Sequence, residues 1–448
     1  MPEPDPGLAD GTPRDLARCR AGRFPPEPAD AVTGRGVLAR RQSGSAALGL
    51  LTGLNVLNYV DRYVGAAVLP LILSGLALSD AEGGLLQSAF ILTYSLICPL
   101  AGWLGDRRPR LPLAAVGVVL WSGATVASGL ASTYPLLLCA RALTGVGEGG
   151  YAVVTPSLIS DYYPPERRGR ALAIFFAAIP AGSALGYVLG GAVGSAWGWR
   201  AAFFIAGLPG ALLGLSLLGL REPPRGACDS INAPPPTRLA LGASLRALRA
   251  RPSYVVNTAA QVLYVFAMGG LATWMPTYFV RERGIPLASA TSTFGLLLVV
   301  AGFGGTLVGG QLGDRLSERA RGAQFSVSGW SLVGSIAFTI PAVLSPTPKI
   351  FWPSMFVTLF LLFFNIGPLN AAMANVLPPD LRARGFALTT MAVHLLGDAV
   401  SPWIIGAASD RVGLTIPVLV NGILLAVAGV VLLVWRATLE RDMEAAGT

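Results

Sequence analysis

Apolar residues along this chain form long blocks of about 20 residues, separated by short polar segments. A block of this length crosses the ~30 Å hydrocarbon core of a bilayer as one α-helix. The pattern therefore predicts an all-α membrane protein with twelve transmembrane helices. Their expected limits are 47–74, 83–104, 111–131, 135–159, 169–195, 200–220, 253–280, 288–312, 324–345, 350–377, 383–408 and 412–435.

Composition supports this interpretation. Charged residues make up 13% of the chain and hydrophobic residues 53%, whereas a soluble domain carries about 25% charged residues. The four cysteines follow no metal-binding or disulfide spacing. We therefore expect neither a metal site nor a cofactor.

Two segments of the first half recur in the second half. GWLGDRRPR at 102–110 returns as GQLGDRLSER at 310–319, and YPPERRGRAL at 163–172 returns as LPPDLRARGFAL at 377–388. In each half the first segment follows the second expected helix, and the other lies between the fourth and fifth. Two six-helix bundles related by an internal repeat are the natural interpretation.

These bundles imply a domain organisation with polar ends and a polar connection. The first 40 residues mix Pro, Arg and acidic residues and lack the apolar segment of a signal peptide. The connection between the bundles is Pro-rich and basic. We expect a disordered cytoplasmic tail at 1–44, bundles at 45–220 and 252–436, a cytoplasmic linker at 221–251 and a cytoplasmic tail at 437–448.

Arginine sets the expected orientation. The net charge is +9, and opposite loops such as SGLALSDAEGG carry little positive charge. The positive-inside rule places both termini and the linker in the cytoplasm of a cell (inner or plasma) membrane, and it explains the charge without a nucleic-acid partner. Alternate loops hold Arg107, Arg108, Arg110, Arg167, Arg168, Arg170, Arg315, Arg319, Arg321, Arg382 and Arg384.

One charge pair lies near the middle of the first expected helix. Asp61 and Arg62 are adjacent there, and each charge at a helix centre costs ~2.5–3.5 kcal/mol on insertion scales. Arg141 and Glu148 of the fourth helix share one face, ~10 Å apart. We expect Arg62 beside Glu148, with Asp61 in reach of Arg62 or Arg141, so that the charges sum to zero. The network is either a proton relay or purely structural.

The repeated GxLGDR loops suggest a gate. An Asp at the end of a helix can pair with a neighbouring arginine, and that contact can form in one conformation and break in another. An ordinary polar loop is the alternative. The expected cytoplasmic gate comprises Asp106, Arg107, Asp314, Arg315, Arg168 and Arg384.

Other polar residues are candidates to line a cavity. His394 and Asp398 lie four residues apart on one helical face, where they could bind a head group, relay protons or form a structural hydrogen bond. Pro180 predicts a bend in the fifth helix, for gating or for packing. Further candidates are Asn58, Tyr59, Tyr94, Tyr187, Gln261, Tyr264 and Asn365.

The sequence argues against an enzyme. It has no Gly-x-Ser-x-Gly elbow and no His-x-x-x-His pair, and it contains one histidine. An exporter of drugs or small organic anions and a lipid sensor that does not transport stay open as alternatives.

The twelve helices, the two halves and the duplicated loop resemble the major facilitator superfamily. Within it, NYVDRY, TYSLICPLAGWLGDR and RALTGVGEGGYAVVTPSLISDYYPPERRGRALAIFFAAIPAGSALGY are similar to the Spinster family, as a bacterial homologue. The resemblance is dense over 55–191 and thins to general superfamily features in the second half.

This resemblance implies a major-facilitator-type fold and transport by alternating access. Its members move lysophospholipids or sphingosine phosphate, often coupled to protons. The implied partners are a lipid-like anionic substrate, protons and membrane lipids, and nothing requires more than a monomer.

The resemblance also implies roles for the charges. The paired Asp and Arg of the family correspond to Asp61 and Arg62, and its fourth-helix Arg and Glu correspond to Arg141 and Glu148. Asp61 and Glu148 would then be the proton-linked carboxylates, and Arg62 a ligand for substrate phosphate. The superfamily's antiporter signature has Pro after Gly in the fifth helix, whereas Tyr187 follows Gly here, which weakens an antiport assignment.

Overall fold

The computed structural model describes residues 44–226, 241–320 and 322–446. The expected tail at 1–44, apart from its last residue, lies outside these ranges, as do the middle of the linker, Arg321 and the last two residues. Within the described ranges the secondary structure is helical, without a strand. The first half contains helices Gly44–Ala67, Leu69–Gly75, Asp80–Gly105, Arg110–Leu130, Tyr134–Tyr162, Pro165–Phe176, Ala178–Trp197 and Trp199–Ser216.

The second half begins with a short linker helix and ends with another short helix. The linker helix is Leu241–Arg249 and the terminal helix is Arg436–Ala446. Between them lie Pro252–Arg281, Leu287–Ser317, Ala323–Leu344, Pro348–Phe363, Ile366–Val376, Pro379–Val393, Ser401–Val412 and Thr415–Val434.

These helices form the twelve expected spans, numbered here in chain order. In the described residues ten helices are long and apolar enough to cross a membrane, and the bent pair Gly44–Ala67 and Leu69–Gly75 makes eleven. The remaining span, the fourth, is helix Tyr134–Tyr162, whose 29 residues suffice in length. It is less apolar because it carries Arg141 and Glu148 near its centre. The predicted all-α, twelve-span fold is confirmed.

Prolines explain three breaks within spans. Proline lacks a backbone N–H and clashes with the carbonyl four residues earlier. Accordingly, the fifth span breaks at Ala177, just ahead of Pro180, and the tenth breaks at Phe364, four residues ahead of Pro368. The first span bends by 50° at Val68, beside Pro70. The fifth span is thus interrupted ahead of Pro180, where a bend was expected, and its two parts continue as one span, Pro165–Trp197.

The two halves contact each other at one face of the molecule and in its middle. We name this face the opposite face, and the face with the arginine-rich loops at 107–110, 167–170 and 382–384 the basic face. On the opposite-face side, Gly84 of the second span lies against the backbone of Pro402 in the eleventh. Gly191 of the fifth span lies against Thr291 of the eighth. Glycine permits these close helix contacts because it has no side chain.

An ion-pair cluster joins the halves at the opposite face. Arg281, at the end of the seventh span, donates to both carboxylate oxygens of Asp80 in the second, at 2.6 and 2.9 Å. Ser409 donates to Asp80 at 2.6 Å. Asp410 accepts from the backbone N–H groups of Asp80 and Ala81 at 2.8 and 2.9 Å. We name these residues the opposite-face latch.

The basic face is held together within each half instead. Arg110 of the third span pairs with Asp161 at 2.5 Å and with Glu222 at 2.9 Å. In the described part of the chain, no hydrogen bond or ion pair joins Asp106 or Arg107 to Asp314 or Arg315. The molecule is therefore closed at the opposite face, while the expected gate at the basic face is not formed.

Candidate functional site

Four charged side chains meet in the middle of the first half. Arg62 donates to Glu148 Oε2 from Nη2 at 2.9 Å and from Nε at 3.2 Å. Arg141 Nη1 lies 3.8 Å from Asp61 Oδ1. The expected pairing of Arg62 with Glu148 is confirmed, and the partner of Asp61 is Arg141 rather than its neighbour Arg62.

Glycines of the fourth span let the neighbouring spans close over these charges. Gly145 lies against the backbone of the second span, at Phe90 and Tyr94. A Cβ on Gly147 would lie 2.5 Å from the backbone nitrogen of Trp121 in the third span. Small residues at helix contacts allow such close packing. The run GVGEGG thus contains Glu148, and its glycines also allow the neighbouring spans to bury that side chain.

The two ion pairs differ in how deeply they are buried. The side chain of Arg62 is 15% exposed and that of Glu148 is fully buried. The side chains of Arg141 and Asp61 are 3% and 1% exposed. Of the two pairs, the Arg62 pair therefore borders the space between the halves, and the Asp61 pair lies behind it.

Thr125 of the third span is a further contact of Asp61. Its hydroxyl donates to Asp61 Oδ2, and the threonine is itself fully buried. Sequence reasoning missed Thr125, because a threonine in an apolar span gives no signal of which neighbour it faces. Among the described residues, Asp61 Oδ1, Arg141 Nη1, Glu148 Oε1 and Asn58 Nδ2 are buried without a hydrogen-bond partner.

Aromatic rings surround the guanidinium of Arg62. Its Cζ atom lies 5.0 Å from the ring centroid of Tyr59, 5.2 Å from that of Phe90 and 4.8 Å from that of Tyr94. A cation over an aromatic ring is stabilised by about 0.5–2 kcal/mol. Tyr59 and Tyr94 were expected near a cavity, whereas Phe90 had no polar signal to reveal it.

The second half contacts these aromatic rings through His394. His394 Nδ1 lies 3.1 Å from both carboxylate oxygens of Asp398, on a π-helical turn of the eleventh span. The histidine ring packs edge-on against Tyr94, with centroids 6.0 Å apart. The two side chains share one helical face, as expected, and contact each other within their own helix. Their side chains are partly exposed, which leaves the pair free to meet a ligand between the halves.

Other candidates occupy different positions from those expected. Tyr187 was expected to line a cavity, but it is fully buried, and its hydroxyl donates to the Ala272 carbonyl of the seventh span at 2.5 Å. Its ring packs against Tyr63 and Phe294. Tyr187 therefore joins the halves, because the fifth and seventh spans touch there. Asn58 lies buried beside Glu148, as expected of the charge network.

The remaining residues that were expected to line a cavity make local hydrogen bonds or are buried in the core instead. Gln261 donates to Asn257 at 3.0 Å, and Asn365 donates to the Leu362 carbonyl at 2.5 Å. Tyr264 is buried in the core of the second half. Since none of these three touches the charge network, they form no part of the candidate site in this conformation.

The expected gate arginines also bind within their own halves. Arg168 donates to the Ser160 carbonyl at 3.1 Å. Arg384 donates to Ser244 of the linker helix at 2.5 Å. The gate residues thus share the basic face, but this conformation does not bring them together.

Comparisons with known proteins agree with this geometry. The Major Facilitator Superfamily pattern matches residues 51–402. Protein spinster homolog 1 of Bos taurus is 34% identical over 390 residues, which cover 82% of this chain and 74% of that protein. The sphingosine-1-phosphate transporter SPNS2 of Danio rerio is 32% identical over 415 residues, covering 89% and 80%.

The fold is also that of a solved structure. A bacterial homolog to the human lysosomal transporter Spinster, in an inward-facing and unoccupied conformation, superposes with a TM-score of 0.81. It is 24% identical, and the match covers 89% of this chain and 98% of that one.

Proposed function

Because this chain belongs to the Major Facilitator Superfamily and, within it, to the Spinster family, we propose that it is a proton-coupled carrier working by alternating access. It is a multi-pass transporter rather than an enzyme. The observation that carries the proposal is the set of two buried ion pairs, Arg62–Glu148 and Asp61–Arg141, in the middle of the first half.

The proposed substrate is lipid-like and anionic, of the lysophospholipid or sphingosine-phosphate type. A relative that is 32% identical is named a sphingosine-1-phosphate transporter. Arg62 is the partly exposed cation of the network, and arginine binds phosphate through two parallel hydrogen bonds. The rings of Tyr59 and Tyr94 beside it suit the apolar part of an amphipathic molecule.

Protonation is the proposed switch. A proton on Glu148 would remove the charge that holds Arg62, which then becomes available to a substrate phosphate. A proton on Asp61 would likewise release Arg141. One pH unit supplies ~1.36 kcal/mol per proton, and 100 mV supplies ~2.3 kcal/mol per charge. These energies match the few kcal/mol that separate conformers.

The proposed cycle moves two units against each other. They are the expected bundles at 45–220 and 252–436, joined by the linker at 221–251 and working as a monomer. We place the basic face in the cytoplasm of the cell membrane, where the arginine-rich loops satisfy the positive-inside rule. In this conformation the site then communicates with the cytoplasm, and the gate of Asp106, Arg107, Asp314, Arg315, Arg168 and Arg384 would close in the other one.

Flux in proteoliposomes tests the proposal. Labelled lysophospholipid or sphingosine phosphate is followed under an imposed pH gradient, with Asp61→Asn and Glu148→Gln run alongside the wild type. We expect both variants to lose gradient-driven flux, and Glu318→Gln, an exposed carboxylate at the basic face, to retain it. Full flux with unchanged pH dependence in Asp61→Asn would refute the mechanism, and binding without flux in the wild type would indicate a sensor.

A further inference from the structure

A small cavity lies between the opposite face and the buried Asp61–Arg141 pair. It leaves about 20 Å³ for the centres of water molecules. Its outer wall includes Ile72, Gly83 and Leu137, each about one helical turn from the end of its span at the opposite face. Its inner end is formed by Gly65 and Arg141. The cavity thus lies about one helical turn below the opposite face, beneath buried residues, and extends to the guanidinium that pairs with Asp61.

The cavity is large and polar enough for one water molecule. A site of roughly 10–15 Å³ by this measure holds a water that has two or more polar partners. Gln87, Arg141 and Thr273 line it, and Arg141 Nη2 lies 3.5 Å from Gln87 Oε1. Arg141 Nη1 and Asp61 Oδ1 are buried without a hydrogen-bond partner in the described part of the chain. These two atoms face each other at 3.8 Å, too far for a direct hydrogen bond, and a ligand that can both donate and accept, as water does, would satisfy both.

The two carboxylates of the network therefore have different surroundings. Glu148 is held by Arg62, which borders the space between the halves. Asp61 lies behind it, faced by Thr125 from the third span and by Arg141 from the fourth, and Arg141 in turn borders the cavity. Glu148 and Arg62 are the other charged groups in its electrostatic reach.

We propose that this cavity is a proton entry from the opposite face to Asp61, with Gln87 and one water positioned against Arg141 as its last step. A hydronium ion at the opposite face gives up its proton through this water, and the proton bonds to Asp61 Oδ1. The hydronium becomes water, the carboxylate becomes a carboxylic acid, and Arg141 keeps its charge. The route is separate from the space between the halves that Arg62 borders. This inference rests on the proposed proton coupling.

The chain offers a matched pair of glycines for the test. A Cβ on Gly65 would lie 3.6 Å from Arg141 Cζ and 3.8 Å from Phe203, which are ordinary van der Waals contacts. Gly65→Ala therefore puts a methyl group into the cavity without a clash. A Cβ on Gly53, in the same helix, would meet nothing within 4 Å. Gly53→Ala gives the same gain in helix propensity and leaves the cavity unfilled.

Transport gives the first readout. In proteoliposomes, Gly65→Ala is expected to lower proton-driven flux of labelled lysophospholipid by about tenfold. This loss is smaller than the rate factor that a positioned proton-transfer group usually contributes. Exchange of labelled for unlabelled substrate without a pH gradient should be unchanged. Gln87→Leu should act in the same way, and Gly53→Ala should resemble the wild type. Wild-type driven flux in both Gly65→Ala and Gln87→Leu would overturn the inference and leave the proposed function intact.

Silver ions give a readout that does not need transport. In the full chain with its native cysteines replaced by serine, Ag⁺ is added at the opposite face of oriented vesicles. Gly65→Cys should be protected by Ag⁺ against later thiol labelling, and Gly53→Cys should not. If the wild type showed no proton-driven flux, the proposed function would fail, whereas protection of Gly65→Cys would still support a water-accessible cavity at Arg141. Equal protection of the two variants would refute the cavity as an entry.

Discussion

At the scale of single residues, Asp61 and Arg62 differ in what holds them, although they are adjacent. Asp61 is fixed by Thr125 and Arg141, which come from two other spans. Arg62 is fixed by Glu148 and by a cage of aromatic rings. Packing separates the Asp61–Arg141 pair from the space between the halves, whereas Arg62 borders that space. Substitutions at the two positions should therefore have different consequences.

Thr125→Val should destabilise the protein, because it leaves a buried carboxylate oxygen without its hydroxyl donor. A hydrogen bond to a charged group is worth about 1.5–3 kcal/mol, and the loss should appear as a lower thermal unfolding midpoint in detergent. Thr125→Ser keeps the hydroxyl and should retain most of the stability. Equal midpoints for Thr125→Val and the wild type would show that this hydrogen bond contributes nothing.

Arg62→Lys should impair substrate binding although it conserves the charge. Lysine has neither the planar group that packs among Tyr59, Phe90 and Tyr94 nor the two donors that reach Glu148. We expect the apparent KM to rise by about tenfold, from a loss of ~1.4 kcal/mol. The matched control is Arg200→Lys, whose guanidinium stacks on Trp199 at 4.1 Å near the opposite face. A comparable rise in that control would mean that the effect is not specific to the site.

Part of this site could be predicted from sequence and part could not. The pairing of Arg62 with Glu148 follows from helical spacing and from the need to neutralise charge in a membrane, which leave few arrangements. Thr125 and Phe90 could not be assigned, since their positions depend on which faces of the second and third spans turn inward. The same holds for Tyr187, whose place between the halves depends on the conformation.

At the scale of helices, glycine and proline decide how the spans approach and where they bend. The break at Pro180 could be predicted from the chemistry of proline alone. The fourth span could be placed from its length and boundaries, even though its polar centre weakens the apolar signal. Which of its glycines contact another helix could not be read from sequence, because glycines occur on every face of this span.

Gly147→Ala should therefore disrupt the fold, whereas Gly150→Ala in the same helix should not. A Cβ on Gly147 would lie 2.5 Å from Trp121 N and 2.6 Å from the Gly117 carbonyl, both backbone atoms that cannot move aside easily. Overpacking of this kind costs about 1–3 kcal/mol or more. A Cβ on Gly150 would meet nothing within 4 Å. Size-exclusion profiles and thermal unfolding midpoints of the two variants would test this difference, and equal values would contradict the close contact of Gly147 with the third span.

At the scale of the whole molecule, the halves are joined at the opposite face, and at the basic face the expected gate between them is not formed. The latch of Asp80, Arg281, Ser409 and Asp410 concentrates charge-assisted hydrogen bonds where the second, seventh and eleventh spans end. Alternating access requires these contacts to break when the opposite face opens. The latch should therefore set how often the other conformation is visited.

Arg281→Gln should increase the population that is open at the opposite face. Losing hydrogen bonds to a charged group removes about 1.5–3 kcal/mol, which is roughly a 10- to 150-fold shift in the equilibrium. Distances between spin labels on Ser132→Cys and Thr347→Cys, one in each half at this face, would report the opening. The control is Arg283→Gln, which removes a nearby charge that binds Tyr278 and Ser345 within its own half. An unchanged distance distribution in Arg281→Gln would mean that the latch does not hold the halves.

The proposed transport cycle depends above all on the coupling of proton movement to substrate movement through Asp61 and Glu148. Its most direct test is the proton movement that a lysophospholipid gradient drives into proteoliposomes, read with a pH-sensitive dye trapped inside. We expect substrate flux to move protons in the wild type, and Asp61→Asn to abolish this movement. Substrate flux of the wild type without any proton movement would contradict it.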